Sequence, residues 1–148
     1  MNYFKNIFKS ILSTDNTNNL DKIQNELNFY CRYGDLCKVK ELVSLGANVK
    51  GRDNCALRWA SEYGHLDVVQ FLVDSGAELI GSSLYSIVLA SQNGHLDVVK
   101  YLVSKGIDIQ ALNNRSIKYA RREGHFEIVK YLIEEGADPK SDNFLPLN

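Results

Sequence analysis

The sequence of 148 residues lacks a long hydrophobic run, an excess of charge and a pairable set of cysteines. No segment approaches the roughly 18 consecutive apolar residues of a membrane-spanning helix. The formal net charge is −1, so we expect no bulk attraction to nucleic acid or to a membrane surface. The three cysteines are odd in number and lack metal-ligand spacing, which favours reduced thiols inside a cell. We also expect no signal peptide, because Lys5 and Lys9 interrupt the only apolar N-terminal run.

One pattern occurs four times along the chain, and its copies follow one another at a fixed period. In three copies, a glycine and a histidine precede an acidic residue, two β-branched residues and an aromatic–leucine pair, while the first copy is looser. The glycines that mark the period are Gly34, Gly64, Gly94 and Gly124. A fixed period within the range of about 20–50 residues indicates a solenoid, in which each copy packs against its neighbours.

Each copy is predicted to form two helices and a connector. The first helix is short and ends at the glycine that marks the period, because glycine readily adopts the positive φ that stops a helix. The second helix is longer, begins near an acidic residue such as Asp97 and ends at a second glycine such as Gly106. A connector of about ten residues, such as residues 47–56, leads to the next copy. Since two such helices cannot bury their own apolar faces, the copies must stack.

The period divides the chain into three kinds of segment. Phe8, Ile11 and Leu12 lie on one helical face and, shifted by two periods, coincide with apolar positions of a second helix. We therefore expect an N-terminal capping helix. The predicted divisions are the capping helix at 1–16, four repeats within 17–140 (about 17–46, 47–76, 77–106 and 107–136) and a C-terminal tail at 141–148.

A stretch in the second copy carries a family resemblance. Residues 46–54 read Gly-Ala-Asn-Val-Lys-Gly-Arg-Asp-Asn, and they are followed by Leu57, Ala60, Gly64, His65, Leu66 and Asp67. This pattern resembles an ankyrin repeat, and the resemblance covers roughly residues 17–140. Ankyrin repeats are typically about 33 residues long and begin their first helix with T-P-L-H-x-A. The repeat of this chain is three residues shorter, and the missing residues fall between Asn54 and Cys55, at the turn of the family's β-hairpin.

The resemblance implies an all-α, ankyrin-like helical-repeat solenoid with shortened or missing β-hairpins. It also implies a non-catalytic protein–protein interaction module, which binds a partner protein or peptide on the concave face of the repeat stack. No nucleophile, base and orienting residue recur together, and no glycine-rich phosphate loop follows a strand, so we expect no enzyme activity and no cofactor. Repeats of this short form are similar to those that giant DNA viruses encode in large numbers. We expect an intracellular, cytoplasmic protein, in the host cell if the chain is viral.

Positions that vary between copies are the candidates for partner binding, because they are free of the demands of stacking. In ankyrin proteins the corresponding connector and first-helix positions line the groove. The candidate partner-binding residues are Arg58, Val88, Arg115, Lys118, Arg121 and Arg122. Arg115, Lys118 and Arg122 share one helical face, so the groove becomes basic toward its C-terminal end.

Two interpretations of this basic face stay open. It contacts an acidic peptide or protein, or it is a solvated face whose charge Glu123 and Glu127 balance. Nucleic acid is not expected as a partner, because proteins that follow a phosphate backbone usually show it in their overall charge. A membrane partner is not expected either.

The repeated histidines raise the question of a metal site. Stacked helices lie about 8–10 Å apart, whereas a zinc ion needs its nitrogen ligands within about 2.1 Å. His65, His95 and His125 therefore cannot share a metal ion, and we expect each imidazole to brace the loop between two helices. Cys31 and Cys37 are expected to be buried or half-buried small residues, and we expect no reactive thiol among them.

The aromatic residues of the first helices are expected to be core residues. Trp59 shares its repeat position with Phe29, Leu89 and Tyr119. We therefore place Trp59 between the helices of adjacent copies.

The two ends of the solenoid differ in sequence. The first copy has Lys38 and Glu41 where later copies have apolar residues, as a terminal repeat needs. The last copy keeps Ile128 and Tyr131 at these positions. The alternative function is therefore a structural or assembly protein that self-associates through its exposed C-terminal end, residues 117–147. We expect a monomer or a weak homo-oligomer.

Overall fold

The structure is a computed structural model that describes the backbone of residues 16–140 and their side chains, except those of residues 16–18 and 52. Within this range the chain forms eight α-helices, one 3₁₀ helix and no β-strand. The α-helices are α1 (Asn16–Tyr33), α2 (Leu36–Ser44), α3 (Gly51–Glu62), α4 (Leu66–Asp74), α5 (Tyr85–Gln92), α6 (Leu96–Ser104), α7 (Ala111–Arg122) and α8 (Phe126–Glu134), and the 3₁₀ helix is Gly81–Leu84. The predicted all-α solenoid without β-hairpins is thereby confirmed for the described residues. The predicted capping segment, apart from residue 16, and the tail at 141–148 lie outside them.

The helices form four consecutive pairs, which stack in two rows. We call α1, α3, α5 and α7 the first-helix row, and α2, α4, α6 and α8 the second-helix row. The second helices begin at equivalent positions of the four copies, namely Leu36, Leu66, Leu96 and Phe126. The pairs therefore follow the period of the sequence. The boundaries of the individual repeats stay a prediction.

Glycine ends each helix of a pair, as expected. Gly94 has a φ of 83° after α5, and Gly106 has a φ of 85° after α6. The next amide then turns back: His95 N–H donates to the Ala90 carbonyl at 2.9 Å, and Ile107 N–H donates to the Leu102 carbonyl at 3.2 Å. Since a residue with a Cβ adopts this conformation only at a cost, the glycines fix where the chain reverses.

Two of the three connectors are shorter than predicted, because their second half belongs to the next first helix. Only six residues separate α2 from α3, and six separate α6 from α7. The expectation of about ten connector residues was therefore wrong at these two junctions, whereas ten residues, including the 3₁₀ helix, separate α4 from α5. The chain instead winds into a left-handed turn at Asp53 and Asn54, and again at residues 112–114. Asp and Asn adopt this conformation more readily than most residues, which makes such a tight entry into the helix accessible.

One hydrophobic core runs through the stack and takes residues from both rows. The first-helix row contributes Leu27, Leu57, Ile87 and Ile117, and each is at most 1% exposed. The second-helix row contributes buried residues at a matching period: Val39, Val69, Val99, Val129, Leu42, Leu72, Leu102 and Leu132. Because a buried Leu or Ile stabilises a protein by about 2–5 kcal/mol relative to Ala, these rows account for the cohesion between repeats.

Trp59 is half-buried rather than a core residue, which corrects the sequence prediction. Its ring packs against the edge of the core, and Leu57 occupies the interior position of the same helix. Phe29, at the equivalent position of α1, is 53% exposed. The period therefore identified Trp59 and Phe29 as equivalent positions, but the prediction that these side chains lie in the core was wrong.

The three cysteines are free thiols in different environments. Cys31 is buried, and burial raises the pKa of its thiol to about 12, so it stays protonated and inert. Cys55 is half-buried. Cys37 is exposed at the start of α2, which corrects the prediction that it is at least half-buried.

Candidate protein-interaction surface

The repeated histidines hold neighbouring helix pairs together. His65 Nε2 donates to the Arg32 carbonyl at 2.9 Å. His95 Nε2 donates to the Glu62 carbonyl at 2.9 Å, and His125 Nε2 donates to the Gln92 carbonyl at 3.0 Å. Each acceptor belongs to the preceding first helix, so the imidazole braces the loop of the preceding pair. Within residues 16–140, no group of three His, Cys, Asp or Glu side chains is placed to hold a metal ion.

Each of these imidazoles also occupies the space beside a glycine of the preceding pair. A Cβ atom at Gly34 or Gly64 would lie 2.4 Å from the Nδ1 of His65 or His95, respectively. No residue other than glycine fits there without moving the ring. The contact therefore fixes how closely successive first helices approach, and with it the spacing of the surface that they form.

A groove of about 690 Å³ lies on this surface, at the junction of α5 and α7. Its lining residues are Tyr85, Leu112, Asn113, Arg115, Lys118, Tyr119, Arg121 and Arg122. Four of the six candidate partner-binding residues are among them. The structure thus brings these four together in one groove, while their role in binding stays a prediction.

The groove has apolar walls and a cationic rim. Arg115 Nη1 donates to the Tyr85 hydroxyl at 3.2 Å. The Arg122 guanidinium lies 4.6 Å from the centre of the Tyr119 ring, and its Nη2 contacts the Glu123 carboxylate at 2.8 Å. Lys118 is half-buried and forms neither a hydrogen bond nor an ion pair within the described residues. Its ammonium is therefore available to a ligand.

The other three candidate partner-binding residues differ in their contacts and in their exposure to solvent. Arg121 Nη2 donates to the Pro139 carbonyl at 3.1 Å, which ties α7 to the chain after α8. Arg58 is half-buried, and its guanidinium lies 5.7 Å from the Tyr85 ring, beside the groove. Val88 is only 3% exposed, so it packs inside the stack and offers no surface to a partner. The inclusion of Val88 among the surface residues was wrong.

A comparison with known families decides what kind of stack this is. The family model for ankyrin repeats (3 copies) matches residues 1–82 and 80–143. The chain belongs to the ankyrin repeat family. A search of curated proteins finds no match. Ankyrin repeats are generally protein-interaction modules and generally lack catalysis, which directs attention to the surface of this ankyrin stack.

The sequence prediction missed an aromatic cluster at the other end of the same surface. The aromatic cluster consists of Phe29 and Tyr33 on α1, Trp59 on α3, and Tyr63 just after α3. Arg32 lies against it, with its guanidinium 5.2 Å from the Trp59 ring and 5.1 Å from the Tyr63 ring. The signal was present in the sequence, since two consecutive repeats of this ankyrin protein carry an aromatic pair four residues apart.

The two ends of the ankyrin stack differ in polarity. In the first pair, Lys38 and Glu41 form an exposed ion pair at 2.8 Å, as expected for a terminal repeat. In the last pair, Phe126 is 71% exposed and Ile133 is 39% exposed. Ile128 is only 1% exposed and Tyr131 is half-buried, so these two residues of the end that was predicted to be open are covered wholly or in part. None of the described helices is long and apolar enough to cross a bilayer.

Proposed function

We propose that this ankyrin repeat protein is a non-catalytic interaction module that binds an acidic segment of a partner protein in the α7 groove. The observation that carries the proposal is the cationic rim of that groove, formed by Arg115, Lys118 and Arg122. In ankyrin proteins the first-helix row lines the concave face on which partners bind, so the position of the groove on that row supports the proposal. The proposal sets this interaction in the cytoplasm, and in the host cell if the chain is viral.

The charges around the groove favour binding over mere solvation. The whole chain has a formal net charge of −1, yet four cations line this one groove. Glu123 neutralises Arg122, whereas Glu127, the second carboxylate expected to balance the face, forms no ion pair within residues 16–140. A local excess of one charge steers partners of the opposite charge and selects among them.

A selection from a random linear peptide library tests the proposal. We expect peptides selected on the wild-type protein to be rich in Asp and Glu. A variant with Arg115→Glu, Lys118→Glu and Arg122→Glu should lose these peptides, because like charges then meet in the groove. Its melting temperature should change little, since Arg115 and Arg122 are exposed and Lys118 forms no ion pair within the described residues. Acidic peptides that bind the variant as well as the wild type would refute the proposal.

The alternative function is self-association of two copies through the C-terminal end. The exposed side chains of Phe126 and Ile133 favour it, because large apolar groups open to water are a frequent mark of contact sites. Such a contact would involve the same end of both copies. Because the α7 groove lies beside this end, the two functions need separate variants. The charge reversal in the groove tests peptide binding, and substitution of Phe126 and Ile133 tests self-association.

A further inference from the structure

We propose that the first-helix row binds a two-part peptide segment, with acidic residues in the α7 groove and an aromatic or large aliphatic residue on the aromatic cluster of α1 and α3. The inference rests on the proposed function, since it specifies the ligand of the same surface. It adds a second binding site, an apolar one, about two repeats away from the first.

The rings of the aromatic cluster are partly open to solvent, and they pack in two pairs. Phe29 is 53% exposed, Tyr33 is 63% exposed and Tyr63 is 40% exposed. The ring centres of Phe29 and Tyr33 are 4.5 Å apart, and those of Trp59 and Tyr63 are 6.2 Å apart. Aromatic rings held in this way present a large apolar area at a small cost in conformational entropy, which is typical of anchors in protein interfaces.

Arg32 adds a cation to this otherwise apolar cluster. It is exposed, and its guanidinium rests on the Trp59 and Tyr63 rings. It forms no ion pair within the described part of the chain. The cluster therefore suits an apolar side chain from a segment that is itself acidic, because carboxylates next to that side chain meet Arg32.

The aromatic cluster and the α7 groove lie on one continuous surface. Tyr119 of the groove occupies the same repeat position as Trp59, and Arg122 occupies the same position as Arg32. Contacts also join the intervening helices: the Arg58 guanidinium lies over the Tyr85 ring at 5.7 Å, and Arg115 donates to the hydroxyl of that tyrosine. Arginine–aromatic contacts thus occur at each step of the first-helix row from α1 to α7.

The distance between the two sites sets the length of the segment. Because α3 and α7 are two steps apart in the row and each step is about 8–10 Å, the sites are separated by roughly 16–20 Å. An extended chain covers about 3.3 Å per residue, so roughly five or six residues span the gap. The expected ligand has a cluster of Asp and Glu, and an aromatic or large aliphatic residue that many positions away.

Single-stranded nucleic acid also binds surfaces that combine rings and cations. The distribution of charge here favours a peptide. A strand of nucleic acid needs cations along its whole path, but Glu62 takes the repeat position of Arg32 and Arg122 on the intervening helix α3. The cations are concentrated at the α7 end, which matches a segment with most of its carboxylates at one end and its apolar residue at the other.

The peptide selection described above also tests this inference. The consensus peptide is synthesised with a fluorescent label, and its affinity for each variant is measured by anisotropy. Tyr33→Ser with Tyr63→Ser removes two exposed rings of the cluster, and we expect it to weaken binding about tenfold or more. The matched control is Phe126→Ser, which removes an even more exposed ring from the second-helix row and should leave the affinity unchanged. Circular dichroism confirms that all variants fold.

The possible outcomes separate the two proposals. If the consensus is acidic but has no apolar residue at the expected spacing, or if the double tyrosine variant binds it normally, the two-part ligand is wrong and the acidic groove stands. If no selected peptide binds more tightly than about 100 µM, both are wrong. A labelled single-stranded oligothymidine that binds as tightly as the peptide, and loses affinity with the tyrosine variant, would also overturn the inference.

Discussion

At the scale of single residues, a histidine and a glycine from neighbouring repeats act as one unit. The imidazole of His95 donates to the Glu62 carbonyl and fills the space beside Gly64. The glycine is needed twice, once for its positive φ and once for the room that the ring takes. These two demands are separable by experiment, because the glycine after α7 has only the first of them.

We predict that Gly64→Ala destabilises the protein more than Gly124→Ala. Both positions have a similar positive φ, 75° and 81°, so both variants bear the left-handed cost of about 1–2 kcal/mol. A Cβ at Gly64 also displaces the His95 ring, whereas one at Gly124 meets nothing described within 4 Å. Loss of the hydrogen bond and of the ring packing should add about 2 kcal/mol, measured by urea unfolding.

A double-mutant cycle checks the assignment. In the background of His95→Ala the ring is gone, so Gly64→Ala should cost no more than Gly124→Ala does in the wild type. Additive effects of His95→Ala and Gly64→Ala would show that the two residues do not act together.

At the scale of elements, α2 differs from the other second helices in how it begins. Asp35 is its N-cap residue, and the carboxylate accepts from the Lys38 amide at 3.0 Å. The other second helices have a histidine at this position, whose side chain caps nothing in its own helix. In the first pair the side chain thus stabilises its own helix, and within the described residues its contact is with the start of α2.

We predict that Asp35→Ala destabilises α2 by about 1 kcal/mol, because an amide at the helix start loses its acceptor. Asp35→Asn keeps an oxygen acceptor and should lose much less. Hydrogen exchange measures the effect, and the increase should be concentrated in the amides of α2. Equal effects of the two substitutions would mean that the carboxylate does not act as a cap.

The helices and their order were predictable from the sequence, because glycines and apolar positions at a fixed period leave few alternatives. The connectors were not. Their form depends on a left-handed backbone conformation at Asp53, Asn54 and Leu112. At Leu112 no local sequence pattern predicts this conformation. The loss of the hairpin between residues 46 and 57 was predictable from three missing residues, but the tight turn that replaces it was not.

The sequence predicted which charged side chains lie on the surface of the candidate site, but it did not predict which apolar side chains do. The spacing of Arg115, Lys118 and Arg122 sufficed to place three cations on one face of α7. Val88 shares a repeat position with Lys118 but is buried. The long side chain of lysine carries its charge out to the surface from this position, whereas the short apolar side chain of valine stays inside the stack. Phe29 was assigned to the core for a similar reason, since hydrophobicity alone does not tell an interior ring from an exposed one.

At the scale of the whole molecule, the first described helix pair differs from the later pairs at the position that joins one repeat to the preceding one. Each internal junction uses a histidine that donates to a carbonyl of the preceding pair. The first pair has Asp35 at that position, and its carboxylate already accepts from the Lys38 amide. In the last described pair Phe126 and Ile133 are exposed, so we expect self-association to use contact between two C-terminal ends.

We predict that the wild-type protein forms a weak dimer at millimolar concentration and that Phe126→Ser with Ile133→Lys makes it monomeric. The contact depends on these two exposed side chains, so removing them abolishes it without disturbing the core. Ile128→Lys is unsuitable as a test, because Ile128 is buried and its loss would unfold the last repeat. Sedimentation equilibrium over a concentration series measures the molar mass. Tyr33→Ser with Tyr63→Ser serves as the control and should dimerise like the wild type. A wild-type protein that stays monomeric throughout the series would show that these apolar side chains are exposed without self-association.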